Sequence, residues 1–264
     1  ILQEKNGSIP DSLQQYTRIS VPIQSIVVTS TTHIPALELL GVENTLIGFP
    51  NTDFISSAKT RKRIDAGLVK EVGTNETLNT EILIDMAPEV IVSFGLNNSN
   101  PTLDNLQKSG LKVLLNGDWN EQSPLGKAEW IKFFGALYGL DAKAKAIFSN
   151  IEKEYQTTLA LAKKAKQKPT VLSGAMYQDQ WFVPQGESWM ALFLKEAQSN
   201  YLWANTTGTG SLTLPFETIL EKAQKAEFWI APGDFTSLKE MNNSNPHYAK
   251  FDAFKNKKVY SYAL

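Results

Sequence analysis

The chain has 264 residues, 42% of them hydrophobic and 20% charged, with a formal net charge of −1. This length supports one large domain or two lobes with real cores, and the balanced charge excludes bulk attraction to nucleic acid or an anionic membrane. Cysteine is absent, which removes thiol catalysis, disulfides and thiolate zinc sites together. No apolar run approaches the roughly 18 residues that a transmembrane helix needs.

The opening 16 residues are polar and irregular. Residues 17–21 and 25–29 are rich in β-formers and separated by Pro22. Ile26-Val27-Val28 reads as a buried strand, followed by the polar loop Ser30-Thr31-Thr32-His33. A helix then follows, with Pro35 in its first turn and Gly41 after its last apolar residue. Strands are predicted over 45–48, 90–94 and 111–115, and helices over 79–86, 103–109 and 124–138, the last two closed by Gly110 and Gly139. Alternating strands and helices predict an α/β fold with mainly parallel sheets.

Asp141 caps a long helix predicted over 141–167, with Ala142, Ala146, Ile147, Ile151, Tyr155, Leu159 and Ala162 at helical spacing before Pro169 bars continuation. At ~1.5 Å per residue it spans about 40 Å, the length of a domain. The pattern then restarts, with strands over 170–173, 228–231 and 258–262, a helix near 189–197 and another running from Glu217 to Ala226. Residues 79–93 and 214–233 share one grammar: a helix with an early glutamate, Glu81 or Glu217, then a hydrophobic strand. The reading is therefore an N-terminal lobe (1–140), a connecting helix (141–168) and a C-terminal lobe (169–264), with a ligand cleft expected between the lobes. The chain opens at Ile1 without Met and stops straight after its last strand. A processed product with a shortened C-terminal lobe is expected.

The inventory of chemistry is thin. His33 and His247 are the two histidines, there is no Gly-x-Ser-x-Gly elbow and no phosphate-binding Gly-x-x-x-x-Gly-Lys loop. Gly208-Thr209-Gly210 begins like a dinucleotide fingerprint but lacks the third glycine. No histidine pair has ligand spacing for a metal. No catalytic residue, cofactor or metal site is therefore assigned.

In open α/β sheets, ligands bind outside the carboxyl ends of the strands. Those ends carry Thr31, His33, Phe94, Trp119 and Tyr177, with Trp181 and Trp189 on the first crossover of the second lobe. Aromatic rings beside polar loop atoms suit a bulky, flat ligand, so these seven residues are the candidate contacts. Arg61 and Arg63, in a basic run, are candidates for holding an anionic ligand. Trp130, Trp203 and Trp229 read as core and His247 as surface.

The ordered set of Ile26 to Gly41, Glu81 with Ala87-Pro88-Glu89-Val90-Ile91, Leu106 with Gly110-Leu111-Lys112-Val113, the long helix, Glu217 with Ile230, and Phe254-Lys255-Asn256-Lys257-Lys258-Val259-Tyr260 resembles one family. It is that of the substrate-binding proteins of ABC importers for ferric siderophores, haem and cobalamin. The resemblance implies two Rossmann-like lobes joined by one long α-helix, the helical-backbone periplasmic binding protein fold. It also implies a small-molecule ligand (ferric siderophore, haem or corrinoid), an ABC permease as partner, a monomer, and an extracytoplasmic, lipid-anchored location. By position, Glu81 and Glu217 correspond to the glutamates that dock to permease arginines. Residues 30 and 31 are Ser-Thr where members of the family often have Ser-Pro, and the closing helices after the final strand are missing. The alternatives are an α/β enzyme of glycosyltransferase type and a non-transport adhesive module. Haem would favour His33 or a tyrosine as axial ligand, a corrinoid a wide aromatic cleft, and a catecholate siderophore the arginines.

Overall fold

The computed structural model describes residues 1–5, 7–94 and 101–262. The chain divides into two compact units: residues 1–120 with 126–151, and residues 121–125 with 152–264.

In the first unit β1 (Leu2–Glu4) and β2 (Ile19–Val21) pair in parallel as a small separate ribbon. The main elements follow as β3 (Ile26–Val28), α1 (Ile34–Leu40), β4 (Leu46–Phe49), α2 (Ala58–Asp65), β5 (Lys70–Glu71), α3 (Thr80–Met86), β6 (Val90–Ser93), α4 (Pro101–Lys108) and β7 (Val113–Leu115). The sheet order is β5-β4-β3-β6-β7, every pairing parallel. Ile26, Val28, Val90 and Val92 enter one core cluster, and Val27 and Ile91 enter another. A strand buried on both faces needs such unbroken β-branched runs. Pro35 sits in the first turn of α1 and Gly41 closes it in the left-handed region (φ 70°), as expected, and the structure adds a cap on α3, where the Asn79 side chain accepts from the Ile82 N–H at 3.0 Å.

The helix predicted over 124–138 is two helices, α5 (Pro124–Glu129) and α6 (Ile131–Leu137). Between them the Trp130 N–H turns to the carbonyl three residues back, Lys127, at 3.4 Å, which breaks the i→i−4 ladder. Trp130 is half-buried and not a core residue.

The long helix α7 (Asp141–Ala162) starts in the first unit and ends in the second. Its early turns pack on the first unit through Ala144 and Phe148, the latter beneath the Lys132 ammonium at 4.0 Å. Its later turns meet the second unit, where the Tyr155 hydroxyl donates to the Glu196 carboxylate. It stops five residues short of the expected end, where Lys163, Lys164, Lys166 and Lys168 crowd like charges onto successive turns.

The second unit contains β8 (Thr170–Ser173), β9 (Ala175–Tyr177), β10 (Gln180–Pro184), α8 (Trp189–Glu196), β11 (Asn200–Tyr201), β12 (Ser211–Pro215), α9 (Phe216–Ala223), β13 (Phe228–Ile230), α10 (Leu238–Ser244), α11 (Asp252–Lys255) and β14 (Val259–Tyr260). Its parallel sheet is ordered β11-β8-β13-β14, and a separate antiparallel sheet is ordered β12-β10-β9. The core is an aromatic cluster of Trp181, Trp229, Tyr248 and Phe251 with ring centroids 5.0–6.0 Å apart, flanked by Phe216. Trp203 and Trp229 are buried as predicted. His247 is exposed, although its ring lies 5.6 Å from that of Phe216.

The repeated grammar has a structural meaning. α3–β6 and α9–β13 occupy matching places, since β6 lies beside the first main strand β3 and β13 beside the first strand β8. In each unit the strand order reverses at that pair, and the carboxyl ends of the two strands flank a topological switch point.

Candidate functional site

At the switch point of the first unit, the Thr29 N–H donates to the Val92 carbonyl (3.1 Å) and its hydroxyl to Ser93 Oγ (3.0 Å). The adjoining β7 end is tied in by the Asn116 N–H donating to the Ser93 carbonyl (2.7 Å), while Asn116 Oδ1 accepts from the Asp118 N–H (2.8 Å). Trp119, the next residue, is 43% exposed on this turn. Thr31 is exposed on the turn Thr31–His33, and Phe94 is half-buried just after β6. Gly95, expected beside Phe94 at this strand end, lies outside the described residues.

His33 does not reach this surface. Its ring is 0% exposed and 5.5 Å from that of Phe134. Among the described residues neither ring nitrogen has a hydrogen-bond partner. The side chain is enclosed because the turn it ends folds it under α1 and into the apolar cluster around Phe134. As a direct ligand contact it is withdrawn. Burial lowers its pKa from 6.5 to about 4, against the upward pull of the Asp118 carboxylate. The unfolded chain protonates this histidine near 6.5 and the folded chain only near 4. The unfolded state therefore holds the extra proton between those values, and stability falls as pH drops through that window. The loss from this group amounts to about 3 kcal/mol by pH 4. His33→Leu should remove that part of the acid dependence, read by urea unfolding at pH 7 and pH 4. An unchanged difference between the two pH values would contradict it.

The arginines are engaged within the first unit. Arg63 Nη2 donates to the Asn44 (2.9 Å) and Leu46 (3.2 Å) carbonyls at the amino end of β4, the wrong end of the sheet for the ligand, and is withdrawn. Arg61 lies at the carboxyl end, where Nη1 donates to the Thr52 carbonyl at 2.6 Å and Nη2 stands 4.0 Å from Asp53 and 3.9 Å from Asp65. The Thr52 turn is itself held by Glu71, whose carboxylate accepts from the Asn51 and Thr52 N–H groups and the Thr52 hydroxyl at 2.7–2.9 Å.

The second unit carries a formed cavity of about 310 Å³ at its switch point. Ser173 and Gly174, at the end of β8, and Ala231, after β13, form one side. Phe182 and Pro184 on β10, Ser188 with Trp189 and Met190 at the start of α8, and Thr209, Gly210 and Ser211 leading into β12 form the rest. Gly174 is fixed by two hydrogen bonds and by its backbone angle. Its N–H donates to the Ile230 carbonyl (3.3 Å), its carbonyl accepts from Trp229 Nε1 (2.9 Å), and its φ of 99° excludes most side chains. The loop at the rim is clamped too. Gly208 N–H donates to the Glu187 carboxylate (2.7 Å), Gly210 N–H to Gln185 Oε1 (3.0 Å) and Gly186 N–H to the Thr206 hydroxyl (2.8 Å).

Of the residues expected to contact ligand here, Trp189 lines the cavity and is half-buried. Tyr177 is 66% exposed at the end of β9 and lies outside the cavity lining. Trp181 is 0% exposed within the aromatic core and is withdrawn as a contact. The reason is strand alternation: on β10, Trp181 and Val183 face the core, while Phe182 and Pro184 face the cavity. Phe182, which lines the cavity, is not among the seven expected contacts, and the alternating run Gln180 to Pro184 was the signal for its facing. Ser173 and the Thr209 to Ser211 segment were missed as well.

Glu81 and Glu217 are exposed in the first turns of α3 and α9. A helix leading back into a parallel strand starts at the carboxyl end of its sheet. Both carboxylates therefore stand at the strand-end side of their own unit, where the helix dipole favours them. Among the described residues neither has an ion-pair partner. In the same residues there is no group of three or more metal-ligating side chains, and no helix is long and apolar enough to cross a membrane.

Two uncharacterized proteins of Methanocaldococcus jannaschii, one of them a lipoprotein, are each 26% identical to 98% and 97% of this chain. The chain spans 66% of the lipoprotein and 79% of the other. Many solved structures share the fold, and three of them illustrate it. The periplasmic heme binding protein of Vibrio cholerae has a TM-score of 0.71 at 16% identity over 91% of this chain and 90% of that one. A possible iron-binding periplasmic solute-binding protein of Staphylococcus epidermidis has 0.67 at 18% over 91% and 90%. The periplasmic vitamin B12 binding protein of Vibrio cholerae has 0.61 at 14% over 91% and 88%. The sequence pattern of the periplasmic binding protein family matches residues 26–263, and with that match over nearly its whole length this chain belongs to the periplasmic binding protein family.

Proposed function

We propose that the chain is an extracytoplasmic solute-binding protein that captures an iron complex or a corrinoid on its strand-end faces and delivers it to the permease of an ABC importer. The observation that carries this reading is the duplication of one arrangement. Each unit has a parallel sheet with a switch point, and each places an exposed first-turn glutamate, Glu81 or Glu217, at the carboxyl end of that sheet. Two like carboxylates on equivalent helices suit docking to a pair of cationic sites on a permease. The related structures named for heme, iron and vitamin B12 support the solute class. A lipid anchor preceding Ile1 is proposed from the relative named a lipoprotein, and the working form is a monomer. Trp119, Phe94, Thr31 and Arg61 of the first unit and Trp189 and Tyr177 of the second are the proposed contacts, and none is given a chemical step.

Reversing both docking charges separates delivery from capture. Glu81→Arg with Glu217→Arg should cut solute uptake by cells carrying the permease at least about tenfold, since like charges would then oppose each other. The affinity of the purified protein for the same solute should stay within about twofold, because rim charges outside a binding surface contribute little. Unchanged uptake would sink the docking assignment, and a parallel loss of affinity would make these residues ligand contacts.

A further inference from the structure

The near-neutral total charge conceals a local imbalance in the second unit. We propose that the amino end of its parallel sheet is a docking surface for an anionic lipid bilayer. The parallel strands β11, β8, β13 and β14 all start at that end, and hydrogen bonds tie the segments leading into them into one face. The Asn200 N–H donates to the Pro169 carbonyl (2.8 Å), the Glu227 N–H to the Thr170 carbonyl (3.1 Å) and the Asp252 N–H to the Gln224 carbonyl (2.8 Å). Residues 163–169, 224–227 and 251–258 together hold eight lysines and no arginine, against two acids, Glu227 and Asp252. Both acids are engaged: the Glu227 carboxylate accepts from the Thr170 N–H at 3.2 Å, and Asp252 pairs with Lys255 at 2.9 Å. Among the described residues no other lysine of this face has an ion-pair partner. Lys258 lies over the Phe228 ring at 4.8 Å, and the rest are exposed.

The carboxyl end of the same sheet carries the reverse charge, with Glu187 clamping the cavity rim, Glu217 in the first turn of α9 and Asp234 exposed after β13. The unit is therefore polarised along its strands, and its basic pole is the part that an anionic surface attracts. The choice of lysine suits a fluid headgroup layer. Its ammonium is a point charge on a flexible stem, whereas bidentate grip of one phosphate or of a guanine edge is the work of arginine. Leu161, two residues before Lys163 at the end of α7, is 68% exposed. A leucine beside lysines settles at a bilayer boundary, with the apolar group in the acyl edge and the ammonium groups at the phosphates. The lipid anchor proposed for the chain keeps a bilayer within reach. A second unit seated this way turns its cavity and Glu217, at the other end of the sheet, away from the bilayer. On the solute-binding reading, seating then serves capture and ends before delivery.

Flotation of the purified chain with vesicles of phosphatidylcholine alone, and of equal parts phosphatidylcholine and phosphatidylglycerol, tests this. The expected result is binding to the mixed vesicles only, lost in about 1 M salt, where the Debye length shrinks to about 3 Å. A lysine at an anionic surface is worth about fivefold in binding, so Lys166→Gln, Lys168→Gln, Lys225→Gln and Lys257→Gln combined should weaken it at least about a hundredfold. These four side chains are exposed and have no ion pair among the described residues, so the variant should melt with the parent. The control removes the same charge from exposed lysines of the first unit, with Lys5→Gln, Lys62→Gln, Lys70→Gln and Lys108→Gln, and should stay within about threefold of the parent. No binding to the mixed vesicles, or equal loss in the two variants, overturns the inference. Retention on heparin without vesicle binding also overturns it, since the face would then serve another polyanion. The readout is lipid binding alone, so each of these failures leaves the solute-binding reading intact.

Discussion

Gly174→Ala should destabilise the folded protein by at least about 3 kcal/mol, read as a lowered midpoint in chemical unfolding. Two costs add at this position. The backbone φ of 99° lies outside the region that L side chains adopt readily, and a Cβ there would come within 1.9 Å of the Phe182 carbonyl oxygen. The clash is with backbone, so no rotamer change relieves it. The neighbours cannot retreat either: the Gly174 carbonyl is held by Trp229 Nε1, and Phe182 is paired on both sides in the sheet of β9, β10 and β12. The glycine lets the antiparallel sheet lie close against the end of β8, and that approach builds the cavity. Gly210→Ala is the control on the rim: its nearest contact, the Gln185 side-chain oxygen, is 3.4 Å away and belongs to a flexible side chain. A Gly174→Ala protein as stable as the parent would mean that β8 and β10 do not approach as described.

The second large effect concerns Trp181. Trp181→Ala should cost about 3–5 kcal/mol, the range for removing a large aromatic from a core. Its ring meets Phe216, Trp229, Tyr248 and Phe251 at centroid distances of 5.0–6.4 Å, so a cavity left there is bounded by stiff rings that cannot collapse into it. Trp181→Phe keeps most of the contact and discards an indole N–H that has no partner among the described residues, and should cost less than half as much. Solute affinity of the folded Trp181→Phe protein should match the parent, whereas Phe182→Ala, one residue on, should weaken solute binding with little change in stability. Urea unfolding and calorimetric titration of the three variants make the comparison. The opposite pattern, with affinity lost in Trp181→Phe and kept in Phe182→Ala, would place the faces of β10 the other way round.

This pair of residues shows where the fold was legible and where it was not. Strands buried on both faces announce themselves as continuous β-branched runs, which is why Ile26 to Val28 and Val90 to Val92 were readable. Pro35 in the first turn of α1 and the Gly41 stop were readable because they depend on local backbone chemistry alone. The hairpin of β9 and β10 was hidden. Its two-residue turn is Gln178-Asp179, both at positive φ (48° and 61°), without the glycine or asparagine that usually marks such a turn. Once the hairpin is missed, the facing of Trp181 and Phe182 is undetermined, since a one-residue slip in a strand exchanges inside for outside. His33 and Arg63 failed for another reason. A histidine after a polar loop and an arginine in a basic run look solvent-facing, but Phe134 and the Asn44 and Leu46 carbonyls that receive them come from other parts of the chain. Ser173 had no signal, because only the fold brings the end of β8 into the wall of the cavity.

Reversible capture of an iron complex or corrinoid is open to a thermal-shift titration of the unmodified chain with cyanocobalamin, a ferric trihydroxamate, haem and a ferric tris-catecholate. A bound complex at about 100 times its dissociation constant adds about 2.7 kcal/mol of apparent stability. The expected result is a saturable shift with one class of complex, one equivalent per chain, and recovery of the complex chemically unchanged. No shift with any complex, or a complex returned altered, would contradict it.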